Sequence, residues 1–168
     1  MSCLGVHFAI DDLEEKKILS FKDNDSILAY LQEKLEENYF KNHSDTFMAE
    51  SDKAWDAIHR CLTDGEFNYS NGKYPLSHCI MGGKQLYTGD EYIISYKSKS
   101  EVQDISQALN NIDESSLKEK YWRINPKTYP VPLSKEDLEY TAEYFQNVKR
   151  LYKFAAESSR AVIFTADQ

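Results

Sequence analysis

The sequence predicts an α/β fold: a small mixed sheet of three to four short strands, covered by helices in three layers. Short, continuously apolar segments near both ends of the chain are typical of strands buried on both faces. Helical segments alternate with strand segments, which favours a partly parallel sheet with the terminal strands in its interior. The 168 residues suit one domain, 1–168. An α+β fold with helices on one face is the alternative.

The first elements are a buried strand and two helices. The strand is predicted at Leu4 to Ile10, which is apolar and partly β-branched. A charged helix follows around Leu13 to Leu19, and a second helix begins at Asn24 or Asp25, since either residue can serve as an N-cap. The second helix has one apolar stripe, formed by Ile27, Leu28, Leu31 and Leu35.

A third helix is predicted from Lys53 to Leu62, with Ser51 or Asp52 as its cap. Asp56 and Arg60 stand four residues apart, a spacing that allows an ion pair on the helix surface. One face of this helix combines apolar and aromatic side chains at helical spacing: Trp55, Ile58, His59 and Leu62.

A short helix and a strand pair are predicted in the middle of the chain. Pro75 suits the first turn of a helix, and Gly82–Gly83 can end that helix in left-handed geometry. Lys84 to Tyr87 and Glu91 to Tyr96 are predicted strands, joined by a turn at Thr88 to Asp90.

The C-terminal half is predicted to be mostly helical. Ser98 and Glu101 form a capping-box pattern, and Asp113 caps the helix after that one. Ser134 begins the longest helix, which precedes the last strand, Ala161 to Thr165. The apolar stripe behind Ser98 consists of Val102, Ile105, Leu109 and Ile112.

Two segments lack any regular apolar spacing and are predicted as surface loops. They are Asp64 to Tyr74 and Asn125 to Leu133.

The tyrosines at 140, 144 and 152 form a stripe along the long helix. Core packing explains this stripe better than a cofactor site does.

The net charge of −8 and the pI of about 5.0 argue against nucleic acid and anionic membranes as partners. This charge would suit a basic protein partner.

No segment is apolar enough to cross a bilayer, and the N-terminus has no basic region of a signal peptide. We therefore expect a cytoplasmic protein, with Cys3, Cys61 and Cys79 as reduced thiols. The oligomeric state is not predicted.

The familiar catalytic and phosphate-binding motifs are absent from the sequence. His59, Cys61, His78 and Cys79 lie near one another, but their spacing matches no zinc site. We therefore predict no metal and no cofactor. A cysteine–histidine nucleophile pair among these residues stays open, because such pairs form in space.

The third helix carries the best candidate site. Two turns of this helix combine four chemically different side chains: the ammonium group of Lys53, the indole of Trp55, the carboxylate of Asp56 and the imidazole of His59. One interpretation is a core histidine whose nitrogens are satisfied by neighbours. The other is a pocket in which Trp55 and His59 bind a ligand, or in which His59 performs acid–base chemistry with Lys53 or Asp56.

The chain resembles the YfbM-like family, a bacterial family of unknown function. The resemblance includes the segment from Asp52 to His59, and its most specific part is Lys53 to His59. Other matching segments are Gly5 to Ile10, Leu62–Thr63, Pro75 to Ser77 with Gly82, Tyr92 to Ser95 and Val162 to Phe164. The resemblance implies a layered α/β domain. It implies no activity, substrate or cofactor.

These observations leave two classes of function open. The first is a non-enzymatic protein-binding module, which could neutralise a basic toxin through its acidic surface. The lack of a catalytic motif favours this class over an enzyme. The alternative is a small hydrolase or transferase, or a small-ligand binder, with its pocket around Trp55 and His59.

Overall fold

One five-stranded sheet organises the fold. The computed structural model describes residues 3–42 and 46–168. The sheet order is β2-β1-β5-β4-β3, and each pair of neighbouring strands is antiparallel. The strands are β1 Gly5–Ile10, β2 Met48–Asp52, β3 Lys84–Gln85, β4 Tyr92–Lys97 and β5 Ala161–Asp167.

Helices connect the strands. The helices are α1 Asp12–Ser20, α2 Asn24–Tyr30, α3 Glu37–Asn42, α4 Trp55–Leu62, α5 Lys99–Leu109, α6 Glu114–Tyr121 and α7 Lys135–Glu157. A π-helical segment, Leu31–Glu36, joins α2 to α3, and Leu76–His78 forms one 3-10 turn. The predicted caps Ser98, Asp113 and Ser134 each accept a hydrogen bond from a backbone N–H in the first turn.

The two apolar terminal strands lie side by side in the middle of the sheet. Alternate side chains point to opposite faces, so Phe8 and Ile163 enter one core while Ala9 and Phe164 enter the other. The first core contains residues of α1, α2, the π-helical segment and α3. The second core contains residues of α4, α5, α6 and α7. Helices therefore cover both faces, giving three layers.

The predicted sheet of three to four strands is wrong in number and in direction. The missed strand is β2, which pairs with β1 at the edge of the sheet. β2 is only five residues long and contains Glu50 and Asp52, so it has no apolar run that would identify it. The partly parallel arrangement is also wrong, because a continuously apolar segment indicates burial on both faces but not strand direction. The long helix before the last strand is confirmed.

Two predicted helices differ from the observed ones. The helix expected from Pro75 to Gly82–Gly83 is only the turn Leu76–His78. α4 begins at Trp55 instead of Lys53, and neither Ser51 nor Asp52 caps it. The Ser51 hydroxyl instead donates to the Gly5 carbonyl across the sheet at 3.1 Å.

A buried lysine joins the segment around residues 76–83 to the sheet. Lys97 is fully buried at the end of β4. Its Nζ donates to the carbonyl oxygens of Ile80 at 2.6 Å and Gly82 at 2.8 Å, and also to the Ser95 hydroxyl. The Gly82 carbonyl also accepts from the Ser95 hydroxyl at 2.7 Å, so Lys97 and Ser95 together satisfy the buried carbonyl oxygens of this segment.

A second buried polar contact lies beside Lys97. His7 of β1 and Tyr152 of α7 both hydrogen-bond the Cys79 carbonyl, at 2.9 Å and 2.5 Å. Since a carbonyl only accepts, His7 Nε2 carries a proton here. Burial lowers the pKa of His7 to about 3 and the pKa of Lys97 to about 7. Burial thus shifts the equilibrium of each group toward its neutral form, while the three bonds that Lys97 donates need its ammonium form.

The buried lysine predicts how stability changes with pH. Because the pKa of Lys97 in the folded protein is lower than its ordinary value of 10.5, the unfolded chain binds more protons between these values. The contribution of Lys97 to the free energy of unfolding therefore rises with pH from about 7 upward, by a few kcal/mol over the whole window. Chemical denaturation at pH 7 and pH 9 measures this rise.

The matched variants are Lys97→Met and Lys84→Met, since Lys84 is exposed. We expect the stability difference between wild type and Lys97→Met to shift in favour of wild type as the pH rises. Lys84→Met should follow wild type at both pH values. A pH-independent difference for Lys97→Met would contradict the depressed pKa.

Candidate functional site: an aromatic cleft beside α4

A cleft of about 440 Å³ lies where α4 and α7 begin. Its walls come from four separate parts of the chain: the entry to α4, two loops and the first turns of α7. The apolar lining consists of Trp55, Phe67, Tyr129, Pro130, Val131 and Tyr140, and the charged lining of Lys53, Asp56 and Asp137. Cys3 and Gln168 complete the lining near the two chain ends.

Trp55 is held rigidly at the inner wall. Its side chain is 4% exposed, and the indole Nε1 donates to the Cys3 carbonyl at 2.8 Å. The ring lies 5.7 Å from Phe164 of β5, centroid to centroid. Gly5 makes this approach possible, because a Cβ at that position would lie 2.6 Å from Trp55 Cδ1. The indole therefore offers an apolar surface to the cleft.

Asp56 and Arg60 form the predicted pair, but it is buried instead of exposed. Arg60 is 3% exposed, and its Nε donates to Asp56 Oδ1 at 2.5 Å. Arg60 Nη1 also donates to Thr128 Oγ1 at 2.9 Å. The guanidinium lies 5.7 Å from the Phe67 ring centroid and 5.5 Å from that of Tyr129. Arg60 thus joins α4 to both loops that border the cleft.

Asp137 organises the opposite wall. Its Oδ2 accepts hydrogen bonds from the hydroxyls of Tyr121 at 2.7 Å and Tyr129 at 2.8 Å. The Tyr140 hydroxyl accepts from the backbone N–H of Lys53 at 3.2 Å. These contacts fix the start of α7 and the entry to α4 against each other.

His59 lies beneath the loop after α4, outside the cleft lining. It is 0% exposed, and its Nε2 lies 2.9 Å from the Asn68 carbonyl and 2.8 Å from Asn71 Oδ1. Both of these atoms are acceptors, so Nε2 donates to them. Burial lowers the pKa of His59. The structure therefore brings Lys53, Trp55 and Asp56 together in one cleft and separates His59 from them.

Sequence reasoning missed most of the cleft lining, including its aromatic and acidic side chains Phe67, Tyr129, Asp137 and Tyr140. Phe67 and Tyr129 lie in segments predicted only as surface loops. Asp137 lies in the first turn of the predicted long helix, and Tyr140 belongs to the stripe that core packing explains. The available signal was the presence of aromatic residues in loops that flank a helix carrying tryptophan, because large rings in loops need a partner surface.

The cysteines and histidines considered as a metal or nucleophile site are dispersed. Cys61 and Cys79 are buried free thiols, and burial raises the pKa of each to about 12. Within residues 3–42 and 46–168, no group of three or more His, Cys, Asp or Glu side chains could hold a metal ion.

The contacts of His59 predict a structural effect of its removal. His59→Ala should lower the free energy of unfolding by about 1–3 kcal/mol, because two acceptors in the loop lose their donor. Asn71→Ala should also lower the free energy of unfolding, because it removes the bond to His59 together with the bonds that Asn71 donates to Thr63 and to the Glu66 carbonyl. Urea denaturation of both single variants and the double variant measures the interaction energy between His59 and Asn71.

Strict additivity of the two substitutions would contradict this arrangement, because residues in direct contact share an interaction energy. His78→Ala is the control, since His78 is half-buried and contacts Tyr74 and Glu101 instead of His59 or Asn71. We expect His78→Ala and Asn71→Ala to be additive.

Comparison with known proteins places the chain in a family. Its structure resembles the crystal structure of YfbM from Escherichia coli, described as a protein of unknown function, with a TM-score of 0.65 and 20% sequence identity. The match covers 97% of this chain and 99% of that one. No curated protein matches the sequence. Residues 1–165 match a family described as a domain of unknown function, DUF1877. The chain therefore belongs to the DUF1877 family, in agreement with its resemblance to YfbM-like sequences.

Proposed function

We propose that the chain is a non-enzymatic binding protein that takes a small organic molecule into the cleft beside Trp55. The observation that carries the proposal is the apolar wall of the cleft, which is formed largely by aromatic rings. The indole N–H of Trp55 is bonded to the Cys3 carbonyl, so this side chain offers a ligand only its apolar ring surface. Clefts of roughly 300–1,000 Å³ with apolar walls and few polar groups are the usual form of ligand sites.

The chemistry of the candidate nucleophiles supports binding over catalysis. His59 lies outside the cleft, and its Nε2 is engaged by Asn68 and Asn71. Burial holds the thiols of Cys61 and Cys79 in their protonated forms, whereas a nucleophilic cysteine needs a lowered pKa. The hydrolase or transferase hypothesis, which relied on His59 acting beside Lys53 or Asp56, therefore has less support than ligand binding.

A blocking substitution tests the proposed cleft. Val131 lies at the cleft and is 45% exposed, so Val131→Trp should fill the cleft with little loss of stability. We expect aromatic fragments to shift the Trp55 indole N–H signal in ¹H–¹⁵N spectra of wild type. The same fragments should not shift that signal in Val131→Trp.

The Trp122 indole serves as an internal control, because Trp122 is 49% exposed and does not line this cleft. Leu13→Trp is the matched variant, since Leu13 is 80% exposed on α1. It should bind fragments as wild type does. Shifts that are equal for both indoles, or that survive Val131→Trp, would refute the cleft as the site.

A second groove favours a basic protein partner as a further candidate. It has a volume of about 370 Å³, and apolar side chains of Leu4 and Phe40 border it, 45% and 47% exposed. Its charged lining in the described chain is acidic throughout: Glu36, Glu50, Asp52 and Asp167. Such a groove complements a segment that carries Lys or Arg beside an apolar residue. Neutralisation of a basic toxin rests on charge alone and stays a hypothesis.

Site-specific crosslinking tests this groove. A photoreactive benzoylphenylalanine at position 40 should capture a protein with a basic pI from an extract of the source cell. The same group at position 13, on the exposed side of α1, should not capture it. Capture should weaken at high salt and in the Glu50→Lys variant, because both reduce the attraction between opposite charges. Capture insensitive to salt and to Glu50→Lys would contradict recognition by charge.

A further inference from the structure

The charges around the cleft indicate which ligands it accepts. We infer that the cleft beside Trp55 binds an organic cation: an ammonium or guanidinium group carried on an apolar body. This inference rests on the proposed function and adds the chemical class of the ligand. It depends on the ring walls, on the carboxylate of Asp137 and on the position of Lys53.

The ring walls are suited to a cation. Aromatic faces attract positive charge through their quadrupole, and tryptophan and tyrosine do so most strongly. Two rings of this cleft already hold one cation, since the Arg60 guanidinium lies 5.7 Å from Phe67 and 5.5 Å from Tyr129. Trp55 and Tyr140 supply further ring surface in the same cleft.

Asp137 provides the charge that a cation would neutralise. Two phenol hydroxyls orient its carboxylate through Oδ2, but phenols carry no positive charge. Among the described residues, no lysine, arginine or histidine nitrogen lies within 4.0 Å of this carboxylate. Asp56 differs, because Arg60 already neutralises it at 2.5 Å. Asp137 is therefore the carboxylate available to a ligand.

Nearby carboxylates act on two phenols of the cleft lining. Burial raises the pKa of Tyr129, and the hydrogen bond to Asp137 and the charges of Asp137 and Asp56 raise it further. Burial and Asp52 raise the pKa of Tyr140 to about 12. Burial is the larger cause of both shifts, and the carboxylates of Asp137, Asp56 and Asp52 add to it. These negative charges would also favour a bound cation.

Lys53 is the opposing charge in the lining. Its side chain is exposed at the rim, where water screens it and where the long stem lets the ammonium group move away. Lys53 should therefore weaken cation binding modestly without preventing it. If the ligand were an anion instead, Lys53 would be its natural partner. Lys53→Gln should therefore raise the affinity for a cation and lower the affinity for an anion, which distinguishes these two ligand classes.

Three probes of similar size test the inference: benzyltrimethylammonium, benzyl alcohol and phenylacetate. Each is titrated into ¹⁵N-labelled protein, with the Trp55 indole signal as the reporter and that of Trp122 as the internal control. We expect benzyltrimethylammonium to bind about tenfold more tightly than benzyl alcohol, and phenylacetate most weakly.

Charge-neutralising variants supply the second part of the test. Asp137→Asn keeps an oxygen that can accept from the tyrosine hydroxyls. It should lower the affinity for benzyltrimethylammonium about five- to tenfold and leave the affinity for benzyl alcohol unchanged. Glu136→Gln is the matched control, since Glu136 is the exposed neighbour in the same helical turn. It should change neither affinity by more than about twofold. Lys53→Gln should strengthen ammonium binding and leave the alcohol unchanged.

The outcomes distinguish this inference from the proposed function. Equal binding of all three probes at Trp55 would overturn the cation preference while supporting a small-molecule cleft. Tightest binding of phenylacetate, weakened by Lys53→Gln, would assign an anion instead. An ammonium affinity unaffected by Asp137→Asn would overturn the role of that carboxylate. No shift of Trp55 with any probe would refute both the inference and the proposed function.

Discussion

The rest of the structure depends on the antiparallel pairing of β1 with β5. The register joins Gly5 to Ala166 and continues to Ile10 opposite Ala161. Both strands are interior, so their backbone groups bond to each other away from water, where an unpaired group would carry a large penalty. Because both faces of this pair are apolar, each face requires its own cover of helices. The three layers follow from that requirement.

The cleft is a consequence of how one of these faces is covered. Phe164 of β5 supports Trp55 from below, and Gly5 of β1 leaves room for the indole. With Trp55 packed on the sheet, Arg60 lies further along α4 and contacts the two loops. Arg60, Asp56 and Thr128 then hold these loops at a fixed distance from the helix. The open space between them is the candidate ligand site, so its shape depends on packing that begins at the sheet.

The aromatic cleft and the acidic groove lie close to each other, next to the outer ends of β1 and β5. Cys3 and Gln168 border the aromatic cleft, while Leu4 and Asp167 border the acidic groove. The proposed cationic ligand and the proposed basic protein segment would both be recognised by carboxylates beside apolar or aromatic side chains. Part of the net charge of −8 is thus placed at two sites, Asp137 in the cleft and the four carboxylates of the groove.

The sequence by itself determined the local features: the buried terminal strands, the capped helices at Ser98, Asp113 and Ser134, and the inward face of Trp55. Each depends on periodicity or capping over a few residues. Tertiary structure alone decided the strand directions, the edge strand β2, the burial of Arg60 and Lys97, and the separation of His59 from the cleft. These depend on contacts between distant segments, such as Arg60 with Thr128 or Lys97 with Ile80, and no local pattern encodes such contacts.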